Sequence, residues 1–204
     1  MQWADFGPYV DPYVIGCPEP VLVHHARLAA IDFARRTQCW KVMLEPVMAN
    51  GSDTYIEVEK DPYTDISRCL IVNVGGENWP TVDAHDGYTR LLQNGNAQTF
   101  AFLDTDSDVL HVSPPQPKNT RVEIMAALVP SLNSPELAKP LEQYAQDISH
   151  GIIARIMLIP TQTFTNPKDA AVHQALFNGR ITTIASKISL GRMDVHLRGS
   201  RGFL

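Results

Sequence analysis

The spacing of apolar residues changes twice along the chain and predicts three successive regions. Between residues 18 and 39 apolar side chains recur at helical spacing, on one face of a helix. From Trp40 to about Val129 the apolar runs are short and are separated by turn-forming residues, a pattern typical of β-strands. Helical spacing then returns, in one run that ends at Pro160 and another that ends near Gly191.

The residues at the ends of the helical segments support this division. Pro18 and Pro20 suit the first turn of the first helix, because the amide that proline lacks has no partner there. Asn166 is a predicted N-cap of the last helix, with Pro167 at its first position. Gly191 is predicted to terminate that helix.

These regions predict an α+β protein. An N-terminal helix and a C-terminal helical hairpin form a small bundle, with an inserted, mainly antiparallel β subdomain and extended terminal arms. The predicted domains are an N-terminal extended arm (1–17), a helical bundle (18–39 and 134–190), the β subdomain (40–133) and a C-terminal tail (191–204). The first arm carries aromatic residues, including Trp3 and Tyr9, and we expect it to lie on a neighbouring surface.

Composition excludes several classes of protein. The 204 residues are 44% hydrophobic and 19% charged, as in a globular protein with a core. No apolar run reaches the roughly 18 residues of a membrane span, and we expect no signal peptide. Three widely spaced cysteines favour a reducing compartment, and the net charge of −5 argues against sequence-independent binding of nucleic acid.

Two candidate reactive sites near the first helix have simpler interpretations. His24 and His25 are adjacent, so on a helix they point to different faces and do not suit one metal ion. Cys17 precedes a helix, where a thiol becomes acidic, but Pro18 removes the backbone donor that would best stabilise its thiolate. We therefore expect structural or surface histidines and a packing thiol.

Two acidic clusters support an alternative function, a metal- or calcium-dependent enzyme or binding module. They contain Asp83, His85 and Asp86, and the turn from Asp104 to Asp108. The turn lacks the glycine and the glutamate of a calcium loop, since Val109 and Pro115 stand at those positions. The chain has no GxSxG, GxGxxG, HExxH or Walker pattern, so we predict no enzyme, no cofactor and no metal. A third alternative is a monomeric β-domain binding module.

The last residues combine arginine, glycine and two terminal apolar side chains. Arg192, Arg198 and Arg201 stand against Asp194, and the chain finishes on Phe203 and Leu204. One interpretation is a disordered terminus. The other is a peptide that becomes ordered on an acidic partner surface, with the arginines giving charge complementarity and the apolar pair an anchor.

Four structural motifs follow one another in an order that is familiar. They are the Gly16-Cys17-Pro18 turn, the Ala-rich helix that ends in Arg-Thr before Trp40, the strand that ends in Val129-Pro130-Ser131, and the helix from Asp147 to Arg155 with its central Gly151. In this order and spacing the chain resembles the head-tail adaptor proteins of tailed bacteriophages, also called connector, neck or head-completion proteins. The likeness covers most of the chain.

The resemblance implies a structural virion protein that forms a ring, expected to be a dodecamer, below the portal. Its expected partners are the portal protein, a downstream tail or nozzle protein and copies of itself, with DNA only passing through the channel and no membrane contact. The expected location is the capsid-tail junction, and the host cytoplasm during assembly. The residues predicted to contact the portal or another subunit are Arg192, Arg198, Arg201, Phe203, Leu204, Arg35, Arg36, Trp3 and Tyr9, with His24 and His25 as further candidates.

Overall fold

The protein has a mixed α+β fold, as the sequence predicts. The computed structural model describes residues 1–49, 51, 55–58, 61–94, 99–105 and 107–200, except the side chains of residues 55, 57, 92–94 and 190–200. The chain divides into two compact units. We call them the helical unit, formed by Met1–Trp40 and Pro130–Leu204, and the β unit, formed by Lys41–Val129.

Along the chain, the elements of the β unit are inserted between those of the helical unit. The helices are a short 3₁₀ helix (Trp3–Phe6), α1 (Gly7–Val10), α2 (Glu19–Thr37), α3 (Ala84–Asn94), α4 (Lys139–Glu142), α5 (Ala145–Ile156) and α6 (Pro167–Ser200). The strands are β1 (Lys41–Met43), β2 (Val47–Met48), β3 (Tyr55–Glu57), β4 (Thr64–Val74), β5 (Glu77–Trp79), β6 (Phe100–Asp104), β7 (Val109–Ser113) and β8 (Arg121–Pro130). In the part of the chain that is described, no helix has the length and apolar character required to span a bilayer.

The helical unit is built on a bundle of α2, α5 and α6, which pack against one another. The apolar face predicted for α2 is buried, and Phe33 on that face contacts Phe177 of α6, with ring centroids 6.2 Å apart. Gly151 of α5 lies against the same ring, since a Cβ atom there would be 2.8 Å from Cε2 of Phe177. The glycine therefore permits the close approach of α5 to α6.

Two helix ends differ from the prediction. The apolar run from Leu141 to Ile159 predicts one helix, but Tyr144 has non-helical backbone angles (φ −105°, ψ 12°) and separates α4 from α5. Helix α5 ends at Ile156, because Pro160 disfavours helical geometry at the residue before it and the chain turns there.

Helix α6 begins as predicted and ends later than predicted. It starts at Pro167, and the Asn166 side chain caps it by accepting a hydrogen bond of 3.2 Å from the amide of Asp169. Gly191 does not terminate the helix, which continues to Ser200. A glycine inside a helix costs only about 1 kcal/mol relative to alanine, and the arginine, methionine and leucine that follow Gly191 favour helix.

The N-terminal segment is not the extended arm that its prolines and aromatic residues suggest. It forms the 3₁₀ helix and α1, with Pro8 in the first turn of α1, where proline is compatible with a helix. Trp3 is 2% exposed, and its Nε1 donates a hydrogen bond of 2.9 Å to the carbonyl of Ser134. The segment therefore belongs to the core of the helical unit.

In its described residues, the β unit contains two sheets and one helix. One sheet has the strand order β1-β8-β4-β5, with β2 also paired to β8, and the other has the order β3-β7-β6. The pairings of β1 and β2 with β8, of β4 with β5, and of β7 with β3 and β6 are antiparallel.

Helix α3 was not predicted within the β region. It packs on β6 through Gly87, where a Cβ atom would be 2.2 Å from the Phe102 ring. The helix is short and lies among strand-like segments, but its sequence, AHDGYTRLLQN, places its apolar residues at helical spacing, so the signal is present in the sequence.

Candidate interaction surface of the helical unit

The structure accounts for several of the predicted contact residues within the chain itself. Trp3 is buried in its own unit, which corrects its assignment as a contact with another subunit. Arg36 donates a hydrogen bond of 2.8 Å to Oδ1 of Asn178 and lies 3.7 Å from Asp32, so it ties α2 to α6. Arg35 and Tyr9 are exposed and remain available to a partner.

The predicted tail contacts remain predictions. Arg192 and Arg198 are in the last turns of α6, where the backbone is described and the side chains are not. Arg201, Phe203 and Leu204 lie outside the described residues. The structure therefore adds one fact about this region, that it continues a helix as far as Ser200.

The histidine pair on α2 is divided between the surface and the interior. His24 is exposed, whereas His25 is half-buried, and their rings meet edge to face with centroids 5.3 Å apart. Burial lowers the pKa of His25, and the neighbouring His24 and Arg155 lower it further. His24 stays a candidate contact, and His25 is oriented toward its own unit.

The acidic clusters do not form a metal site among the residues that the structure describes. Asp83, His85 and Asp86 are exposed around the start of α3. No described group brings together three or more His, Cys, Asp or Glu side chains in a way that could hold a metal ion. Within the predicted calcium turn, Asp104 accepts a hydrogen bond of 2.9 Å from the Tyr88 hydroxyl, and residue 106 lies outside the described part.

The cysteines have the properties of packing thiols. In the part of the chain that the structure describes, Cys17, Cys39 and Cys69 form no disulfide. Burial raises the pKa of the Cys17 thiol, with a smaller contribution from Asp11, and burial raises the pKa of Cys69 to about 12. A raised pKa is the reverse of what activates a cysteine nucleophile.

Exposed apolar side chains are concentrated on two segments of the helical unit. They are Tyr9 (43% exposed), Tyr13 (52%), Ile15 (77%), Val172 (55%) and Leu176 (47%), and we call these five residues the apolar surface. The two segments are in contact, because the Tyr13 ring packs edge-on against His173 of α6, with centroids 4.9 Å apart. Single exposed apolar residues are common, but a contiguous group indicates an interaction site.

The outward side of α6 extends the apolar surface along the helix. Five exposed residues follow one another at alternating spacings of four and three positions, which places them on one side of the helix. They are Val172, Leu176, Gly179, Thr183 and Ser186. We call this set the outer row. The outer row contains no charged side chain, and the Thr183 hydroxyl donates to the carbonyl of Gly179 at 2.9 Å, which leaves its methyl group for packing.

Gly179 is the least expected member of the outer row. Among the residues that the structure describes, a Cβ atom at this position would meet nothing within 4 Å, so none of them requires a glycine here. Glycine in the middle of a helix costs about 1 kcal/mol relative to alanine. Small residues on a helix surface allow the backbone of another helix to approach closely, and an approaching partner would account for this glycine.

Beneath the apolar surface, two histidines face each other. His150 of α5 and His173 of α6 have their Nδ1 atoms 3.0 Å apart. No sequence signal indicates this pair, because the two residues are 23 positions apart and neither belongs to a ligand motif. The outer row is visible in the spacing of the sequence, but the larger apolar residues Phe177, Ile181, Ile184 and Ile188 on the inward side dominate the helical period of this segment.

Comparison with known protein families found no family model that matches the chain, and comparison with curated proteins found no significant match.

Proposed function

We propose that the protein is a structural component of a tailed-bacteriophage virion, a head-to-tail adaptor that forms a ring below the portal, extends the DNA channel and joins capsid to tail. The order and spacing of the sequence motifs support this proposal, since they resemble those of head-tail adaptor proteins. The α+β fold with a bundle of α2, α5 and α6 is compatible with a ring wall made of helices.

The observation that carries the proposal is the pair of apolar faces on α6. One face, with Phe177 and Ile181, is buried in the helical unit, and the other is the outer row with its exposed Val172 and Leu176. A helix that is apolar on two sides is typical of one that packs between two layers. The second layer is, in this proposal, a neighbouring copy of the chain.

The charge distribution on this face favours another copy of the chain over nucleic acid. The five residues of the outer row are uncharged, whereas binding to DNA depends on lysine and arginine contacts to phosphate. The exposed Lys168 and Lys187 lie at the two ends of the row, and Arg180 beside it is paired with Asp147. The net charge of −5 is compatible with a channel that lets DNA pass without holding it. A subunit contact needs apolar area and close packing, and the outer row offers both.

The two ends of α6 have different roles in this proposal. The outer row near its start contacts the next subunit of the ring. The far end, with Arg192 and Arg198 and the following Arg201, Phe203 and Leu204, contacts the portal or the adjacent tail component. The protein then acts at the capsid-tail junction of the virion, after assembly in the host cytoplasm, and it needs neither an active site nor a cofactor.

The test compares two surface variants of the full chain. Val172→Glu combined with Leu176→Glu places charges on the outer row, and Leu158→Glu changes an equally exposed leucine of the same unit outside it. We expect the wild type and Leu158→Glu to form rings when mixed with the portal protein, as seen by negative-stain microscopy. The double variant should remain monomeric with an unchanged melting temperature, because the altered side chains are exposed.

A wild-type chain that stays monomeric in the presence of the portal protein would contradict the proposal. Rings formed equally well by the double variant would retain the adaptor function but remove the outer row from the subunit contact.

A further inference from the structure

His150 and His173 point directly at each other inside the hairpin of α5 and α6. Their Nδ1 atoms are 3.0 Å apart, and their ring centroids are 5.2 Å apart. The distance between the ring centroids exceeds the distance between the Nδ1 atoms by about the radii of the two rings together. Both Nδ1 atoms therefore lie close to the line that joins the ring centres. This geometry is that of a hydrogen bond. It leaves no room between the nitrogens for a metal ion, which needs about 2.0–2.1 Å to each.

The number of protons on the pair decides whether this hydrogen bond exists. With both imidazoles neutral, one Nδ1 carries the proton and the other accepts it. A first added proton goes to Nε2 of the donor ring, which leaves the bond in place and makes it charge-assisted. A second added proton must go to the accepting Nδ1. Both Nδ1 atoms then carry hydrogen, so the acceptor is lost and two positive rings face each other.

Charged groups around the pair come from α5 and α6. Asp147 of α5 lies 3.2 Å from Nε of Arg180, so most of its charge is already balanced. Asp169 of α6 accepts a short hydrogen bond of 2.6 Å from Nδ2 of Asn166, at the helix N-terminus. Each carboxylate favours the charged form of the nearby histidine, but burial of the rings outweighs that contribution.

Among the residues that the structure describes, the other elements packed against the hairpin add no unpaired charge next to the two rings. Helix α1 packs on α5, and its four residues have no charged side chain. From α2, Asp32 is bound to Arg155 of α5 at 3.1 Å, and Arg36 is bound to Asn178 of α6. The first segment contributes the ring of Tyr13, which packs against His173.

Burial of the two rings also disfavours their protonation. His173 is only 8% exposed, and burial is the main cause that lowers its pKa, followed by the neighbouring His150, with Asp169 opposing. Burial also lowers the pKa of His150, where Asp147 acts in the opposite direction and Arg180 in the same one. Both rings therefore resist protonation in the folded chain.

We propose that His150 and His173 form a proton-operated lock between α5 and α6, which is closed at neutral pH and opens when both rings are protonated. The folded pair binds protons less readily than the histidines of the unfolded chain, which titrate near 6.5. Stability from the lock is therefore complete above about pH 6.5 and is lost as the pH falls below it. Because Tyr13 packs on His173, opening the lock also displaces part of the apolar surface.

The first test measures thermal unfolding of the full chain at pH 7.5 and pH 5.0. The variants are His150→Gln, which cannot become charged, and His85→Gln, which changes an exposed histidine of α3. We expect the wild type and His85→Gln to lose about 2–4 °C more on acidification than His150→Gln does. The other buried histidines contribute equally to all three proteins. An equal loss in all three would overturn the proposal.

A second measurement needs only the wild-type protein. In a ¹⁵N NMR titration, the lock predicts that His150 and His173 titrate in two steps separated by more than about one pH unit, since the second proton breaks the bond. It also predicts that the second step coincides with changes in the amide signals of α5 and α6. Two independent titrations with similar midpoints and no accompanying amide changes would contradict it. This inference does not depend on the proposed adaptor function.

Discussion

The two sides of α6 use the same kinds of residue for different purposes. On the inward side Phe177 is fully buried and packs against Gly151, whose missing side chain makes room for the ring. On the outward side Leu176 is 47% exposed, and Gly179 has open space where a Cβ atom would be. The inward side is explained by the fold of one chain. The outward side is not, and in our proposal a neighbouring copy of the chain covers it.

This difference separates residues that stabilise the fold from residues that support assembly. A buried side chain contributes its transfer free energy and its packing to the folded monomer. An exposed apolar side chain contributes little to the monomer and gains that energy only when a partner removes it from water. Substitutions on the two sides of α6 should therefore act on different measurements.

The largest expected effect is on the inward side. Phe177→Ala removes a fully buried ring beside Phe33 and Gly151, and we expect it to lower the free energy of unfolding by about 3–5 kcal/mol. Leu176→Ala, one position away, should change it by less than about 0.5 kcal/mol, since its side chain is half exposed. Urea unfolding of both variants measures this contrast, and similar losses for both would show that the outward side is part of the monomer core.

Substitutions of Gly151 and Gly179 should change the free energy of unfolding by smaller amounts, and the two changes should have opposite signs. Gly151→Ala places a Cβ atom 2.8 Å from the Phe177 ring, so we expect a loss of about 1–3 kcal/mol in the free energy of unfolding. Gly179→Ala meets no atom and improves helix propensity, so the monomer should gain up to about 1 kcal/mol. The same unfolding measurement distinguishes them. If Gly179→Ala destabilised the protein, this glycine would have a role in the monomer, contrary to our expectation.

Periodicity predicted the long helices because burial in the monomer selects one face. The inward row of α6 and the apolar face of α2 were identified in this way, as was the N-cap at Asn166. The N-terminal segment was misinterpreted because Pro8 and its aromatic neighbours suit an extended chain, and also suit a short helix whose rings are buried. Helix α3 was missed although Ala84, Tyr88, Leu91 and Leu92 recur at helical spacing, because the segment is short and lies between strands.

The candidate site was harder to predict than the fold. The outer row contains glycine, threonine and serine, which carry little hydrophobic signal, so only the open space at Gly179 draws attention to it. The contact of His150 with His173 depends on how two helices align, and no spacing within either helix encodes it. The tail arginines were easier to notice, but the surface that they would bind belongs to another protein and is not encoded in this sequence.

The most direct test of the proposed subunit contact measures whether the outer row becomes covered in the assembled state. Hydroxyl-radical footprinting of the free chain and of the chain mixed with the portal protein reports the solvent accessibility of individual side chains. We expect Val172 and Leu176 to lose most of their reactivity in the assembly, with the similarly exposed Leu158 as the reference. Unchanged reactivity of Val172 and Leu176 in a ring that has formed would contradict it.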